Sequence, residues 1–186
     1  MEASLRQLLT ELEEAGRHHD AQEQDHSRKM LNLEPATAHL LSMLVRSSRR
    51  TRLLEIGTSN GYSTIWLAWA TRPMGGHVTS IDREAYKLAL ADGNLRQAGL
   101  REVVDLIHGD ATQVLSTLAG PFDCVFFDAD RKSASSQLAL LLPKLTAEVF
   151  LLADNALSHP QEIAGTWLRY RHYLSSSTSS SLSGRG

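Results

Sequence analysis

The chain has 186 residues, 42% hydrophobic and 22% charged, which is enough apolar material for one domain with a buried core. A net charge of −2 argues against a nucleic-acid footprint, and the single cysteine, Cys124, leaves no internal disulfide framework. No apolar run approaches the ~18 residues of a membrane span, and the opening Met-Glu-Ala-Ser-Leu does not read as a signal peptide, so a cytoplasmic protein without nucleic-acid or membrane partners is expected.

Residues 2–24 are charged and amphipathic, with Leu5, Leu8, Leu9 and Leu12 at helical spacing. A second helix is expected over residues 35–46, with proline in its first turn. Strand-like runs follow at residues 52–56, 77–81, 103–108, 124–127 and 149–153, separated by helical patterns at 63–70, 84–98, 111–118 and 136–142. Strand alternating with helix predicts an α/β fold, a parallel Rossmann-like sheet with helices on both faces. Ligands of such sheets bind outside the carboxyl ends of the strands. From Thr166 onward the composition turns serine-rich and buries little, which predicts a disordered tail. The expected organisation is therefore an N-terminal helical segment over 1–30, a domain over 31–165, and a tail over 166–186.

The segment Leu53-Leu-Glu-Ile-Gly-Thr-Ser-Asn-Gly-Tyr-Ser63 is the most informative stretch. It reads as a strand, a tight turn through Gly57 and Gly61, and a helix N-terminus, an arrangement suited to a nucleotide-like ligand. The Gly-x-x-x-Gly spacing departs from the Gly-x-Gly-x-x-Gly of a pyrophosphate cradle. Glu55 would repel phosphate and suits a ligand carrying amino or sulfonium charge. Both points disfavour an NAD-linked oxidoreductase.

Asp82 closes the second strand, where an acid can accept from both ribose hydroxyls of a nucleoside or, more plainly, cap the next helix. Asp110, in Gly109-Asp-Ala111, could accept from an adenine amine or serve as an ordinary N-cap. Asp128-Ala-Asp130 ends the fourth strand and Asp154-Asn155 the fifth. Asp128, Asp154 and Asn155 together would make an all-oxygen site for Mg²⁺ or another hard divalent cation; a pair of Asx turns is the plainer alternative. His18 and His19 lie in a solvated helix, Trp66 and Trp69 read as core packing, His159-Pro160 as a turn, and His108 as either cavity wall or bystander.

Together these residues resemble the cation-dependent class I O-methyltransferases that use S-adenosylmethionine, the catechol and caffeoyl-CoA O-methyltransferase family, with the bacterial members nearest. The resemblance covers roughly residues 26–165 and rests on Met30-Leu-Asn-Leu33, Leu53–Ser63, Ser80-Ile-Asp82, Gly109-Asp-Ala111, Phe127-Asp-Ala-Asp130 and Leu152-Ala-Asp-Asn155. It implies that Leu33, Glu55, Gly57, Thr58 and Ser63 surround the methionine end of S-adenosylmethionine, that Asp82 holds the ribose, and that Asp110 and Ala111 flank the adenine. It implies that Asp128, Asp154 and Asn155 bind the cation, with Asp128 also bordering the cofactor. The acceptor would be a small aromatic diol. Family members are commonly dimers, so a homodimer is among the implied assemblies.

Three departures stand out. Where relatives carry a catalytic lysine, three residues after the first metal aspartate, this chain has Arg131, which cannot act as a general base. Arg131 could still stabilise an oxyanion, and Lys132 could take the lysine's place if the loop turns it inward. The glycine turn before the fifth strand is replaced by Thr146-Ala-Glu148, which should alter the turn and keep the strand. The family's two final strands, an antiparallel hairpin, give way to the serine-rich tail. Back-translated with a one-nucleotide slip near Gly165, that region can restore a helix, a turn and a strand, so a frameshift product is expected. The alternative function is a non-catalytic S-adenosylmethionine-binding or interaction protein derived from this family.

Overall fold

The computed structural model describes residues 1–129 and 131–154, with Arg131 described by its backbone alone. The expectations that fall on Asp130, Asn155, His159-Pro160, the tail and the restored strands lie outside the described residues. Two helices, α1 (Ala3–Gln22) and α2 (Pro35–Ser47), precede an alternation of strands and helices. The alternation runs β1 (Arg52–Ile56), α3 (Tyr62–Thr71), β2 (His77–Asp82), α4 (Ala85–Gln97), β3 (Val104–His108), α5 (Ala111–Thr117), β4 (Phe122–Phe127), α6 (Arg131–Leu141) and β5 (Leu145–Ala153). Among the described residues no helix is long and apolar enough to cross a membrane.

The five strands form one sheet in the order β3-β2-β1-β4-β5, and every pairing is parallel. The chain winds outward from β1 to β3, then returns to place β4 on the other side of β1. That reversal opens a crevice at the carboxyl ends of β1 and β4, the topological switch point at which such sheets bind ligands. Strand alternation feeds two cores. Leu53, Val78, Cys124 and Phe126 pack with α1, α2 and α3 on one face, whereas Leu54, Ile56, Ile81, Val125 and Phe127 pack with α5 and α6 on the other.

Helix ends follow local chemistry. Pro35 occupies the first turn of α2, where its missing N–H costs nothing. Two elements depart from the sequence reading. α6 begins at Arg131, five residues ahead of expectation, because Ala134, Gln137, Leu138 and Leu141 form one buried face that outweighs the weak helix propensity of Ser133, Ser135 and Ser136. β5 begins at Leu145, four residues early. Leu145 pairs with Phe122 and Phe150 with Cys124, so Thr146-Ala-Glu148 sits in a register irregularity and adds length without breaking the pairing.

Candidate functional site

A cavity of about 630 Å³ lies over the carboxyl ends of all five strands, within the range of small-molecule and cofactor pockets. Its floor is the turn after β1. Gly57 (φ +105°) and Gly61 (φ +86°) take left-handed conformations that favour glycine, and a Cβ on Gly57 would collide with the backbone carbonyl of Asp128. Leu33, Gly57, Thr58, Ser63, Asp82, Asp110, Ala111, Asp128, Lys132 and Asp154 all line this one cavity.

Glu55 is the exception. It is fully buried and does not border the cavity. By strand parity it shares the face of Leu53, the face that α3 covers. There its carboxylate accepts hydrogen bonds from Ser63 (2.7 Å), Ser80 (2.6 Å) and Thr64. Burial pushes its pKa up to about 7, against the pull of the Ser63, Ser80 and Thr64 hydroxyls, and the nearby Asp82 charge adds to the rise. Glu55 therefore supports the start of α3 from behind the turn and does not line the cavity surface.

Asp82 does not cap α4, whose N-cap residue is Glu84 without a side-chain bond. One Asp82 oxygen accepts from the amides of Thr58 (3.1 Å) and Ser59 (2.8 Å), and the other from Glu84 N (2.9 Å). The carboxylate thus ties the glycine turn to the end of β2. Asp110 is the N-cap of α5, accepting from Gln113 N at 3.1 Å, while it also borders the cavity.

Phe127 and Ala153 are register partners, so Asp128 and Asp154 each follow a matched pair on neighbouring strands. Asp128 N donates to Ile56 O at 2.9 Å and Asp154 N to Phe127 O at 3.1 Å, which fixes both backbones at the cavity. Asn155 lies outside the described residues. Among those described, no group of three or more His, Cys, Asp or Glu side chains comes together as a metal cage. Arg131 opens α6, and its side chain is outside the description; Lys132 lines the cavity.

The residues set aside keep their plain roles. His108 does not line the cavity, and its ring nitrogen sits 3.1 Å from the carbonyl of Arg83. Trp66 and Trp69 pack edge to face at 6.0 Å against the core. His18 meets Gln22, and His19 meets Asp20. Several cavity residues carry no sequence signal of their own. Ser59 and Asn60 sit inside the glycine turn. Lys87 lies on the buried face of α4, and Gln137 on the part of α6 that was expected to be helical.

A family model described as O-methyltransferase matches residues 1–165. The catechol O-methyltransferase of Mycobacterium tuberculosis (strain ATCC 25618 / H37Rv) is 35% identical over 118 residues, covering 63% of this chain and 53% of that protein. A catechol O-methyltransferase of Niastella koreensis is 31% identical over 131 residues, covering 68% of this chain and 59% of its own length. The chain thus spans little more than half the length of the curated relatives it matches. Among solved structures, the O-methyltransferase TomG of Streptomyces achromogenes, involved in tomaymycin synthesis and crystallised with S-adenosylmethionine, superposes with a TM-score of 0.72 at 28% identity, covering 95% of this chain and 79% of that one.

Proposed function

Because the chain belongs to the O-methyltransferase family, we propose that it transfers the methyl group of S-adenosylmethionine to a hydroxyl of a small aromatic diol, with a divalent cation at the ends of β4 and β5. The observation that carries this reading is the sharing of one cavity by Asp128, Asp154 and the glycine turn. Catechol O-methyltransferases among the relatives support the acceptor class. The cofactor-bound TomG structure supports S-adenosylmethionine.

The cavity suits a cationic cofactor. Asp82, Glu84, Asp110, Asp128 and Asp154 outnumber the cations Arg83, Lys87 and Lys132 around it. Thr58, Ser63 and Leu33 would border the methionine end, with Asp82 near the ribose and Asp110 and Ala111 near the adenine. Two carboxylates following a register pair fit a hard cation, and Asp128 and Asp154, with Asn155 beyond them, would hold it. When bound, the cation supplies positive charge that favours ionisation of one of two neighbouring hydroxyls at neutral pH.

The remaining steps fall to the chain and its substrates. Lys132, which lines the cavity, would hold or pass the hydroxyl proton, a role closed to the guanidinium of Arg131. The phenolate oxygen attacks the methyl carbon in line with sulfur. The C–O bond forms as the C–S bond breaks, and the C–S bonding pair stays on sulfur, which becomes a neutral thioether. Much of the acceleration comes from holding the two reactants in that geometry. The test is calorimetric titration with S-adenosylhomocysteine, with and without Mg²⁺, followed by turnover of a catechol-type acceptor. Binding near micromolar, about −8 kcal/mol, is expected; a folded sample that neither binds nor turns over contradicts the proposal.

A further inference from the structure

The sequence sets residues 1–30 apart as a helical segment, but the structure ties the last turns of α1 into the cavity wall. Glu13, Gly16 and Asp20 fall at three- and four-residue steps along one face of α1, with Leu12 four residues before Gly16. The Leu12 carbonyl accepts from Asn32 Nδ2 at 2.9 Å, and the Glu13 carboxylate from the Tyr62 hydroxyl. Gly16 leaves room for Asn32, whose amide nitrogen would stand 2.5 Å from an added Cβ. Asp20 reaches furthest. Its Oδ1 accepts from Met30 N at 2.6 Å and its Oδ2 from Leu31 N at 2.8 Å. Met30, Leu31, Asn32 and Tyr62 all line the cavity.

Leu31 shows why Asp20 matters. Its φ of +51° is left-handed, a conformation costly for a branched apolar residue, and it is 52% exposed, so burial does not hold it there. The neighbouring carbonyls are held from the opposite side. Lys87 Nζ donates to Lys29 O at 2.7 Å, Ser59 Oγ to Met30 O at 2.6 Å, and the Tyr86 hydroxyl to Arg28 O at 3.3 Å. These three contacts satisfy carbonyls; the Met30 and Leu31 amides are satisfied by Asp20. Burial works against the charged form of Asp20, but hydrogen bonds from His19, Met30 and Leu31 together outweigh it and hold the carboxyl below its usual range.

We propose that Asp20 is a positioning residue of the cofactor site, clamping the Met30 and Leu31 amides so that the segment from Met30 to Leu33 forms one wall of the cavity. This rests on the cofactor reading above. The clamp holds the segment through its backbone amides, so its loss should release the cofactor faster and leave the sheet intact.

The experiment compares the full chain with Asp20→Asn and Asp20→Ala by S-adenosylhomocysteine titration, dissociation rate and amide hydrogen exchange. Two charge-assisted hydrogen bonds are at stake, so Asp20→Ala should bind about tenfold more weakly, chiefly through faster dissociation. Exchange should speed up at Met30 and Leu31 and stay unchanged in β1 and β2. Asp20→Asn keeps the side-chain shape but only one acceptor oxygen, and should fall in between. It decides the question if the alanine variant does not fold. Gln7→Ala, on an exposed part of α1, should bind like wild type. A folded Asp20 variant with wild-type affinity overturns the proposal, as does weaker binding with unchanged exchange at Met30 and Leu31. A wild-type chain that binds no S-adenosylhomocysteine removes the cofactor reading itself, and this role with it.

Discussion

Ser80 and Glu55 sit opposite each other in the β1–β2 register, and Ser80 Oγ donates to Glu55 Oε2 at 2.6 Å while lying 2.6 Å from Thr58 Oγ1. A line of hydroxyls therefore joins the cavity-lining Thr58 to a carboxyl that itself never meets the cavity. The chemistry of the glycine turn is coupled to a buried acid one layer beneath it.

That acid should leave a mark on the pH dependence of stability. Burial raises the Glu55 pKa from 4.5 to about 7 in the folded chain, so between those values the folded state keeps a proton that the unfolded state has lost. Stability from this group is then full below pH 4.5, declines as pH rises towards 7, and is flat above, a change of about 3 kcal/mol at most. Urea midpoints of wild type and Glu55→Gln, followed from pH 4.5 to 8, should differ in slope below pH 7. Parallel profiles would show that Glu55 titrates as an ordinary carboxyl.

Asp154→Ala should abolish metal-dependent methyl transfer while leaving S-adenosylhomocysteine affinity within a few-fold. The residue follows the Phe127–Ala153 register pair on β5, two strands over from β1 in the sheet. Activity assayed with added Mg²⁺ and then with EDTA separates the two effects. Full activity of the variant in EDTA would refute the metal assignment.

Gly57→Ala should destabilise the fold and weaken cofactor binding together. The left-handed φ of +105° costs a side-chain-bearing residue of order 1–3 kcal/mol, and the added Cβ must also push aside the Asp128 carbonyl. Gly75→Ala is the control. Its φ is also left-handed, at +69°, but nothing lies within 4 Å of an added Cβ, and it is remote from the cavity. Thermal melts of both variants should show the larger loss at Gly57, and equal losses would remove the argument from close approach.

The frame of the gene near codon 165 can be checked directly. The family match stops at residue 165, where the sequence reading puts the slip. Resequencing should return the shifted frame; an unbroken frame encoding the serines would end the idea.

The architecture was legible because the strands that matter are short apolar runs with punctuation on both sides. β1 was placed at its observed bounds, and the carboxylates closing β2, β4 and β5 fell on one cavity as their strand-end positions implied. Glu55 is covered for a reason the sequence contains. Counting parity from Leu53 assigns it to the face that α3 packs on, so it lies beneath the cavity surface. α6 was cut short because three serines hid a buried stripe that only packing against the sheet reveals. Asp20 carried no signal at all, since its partners are backbone amides ten and eleven residues away in a segment without periodicity.

The strand order has a consequence for how the chain comes off the ribosome. β1 is central, yet its neighbour β4 is made long after it. The two are fastened at their start by Asp123, which accepts from Thr51 N and Arg52 N across 72 and 71 positions of chain. Until those residues emerge, the first three strands can assemble while one side of β1 remains a bare apolar edge. The first three strands are thus synthesised well before the strand that completes the sheet around β1, and the nascent chain carries an unpaired β1 edge during the interval between Arg52 and Asp123.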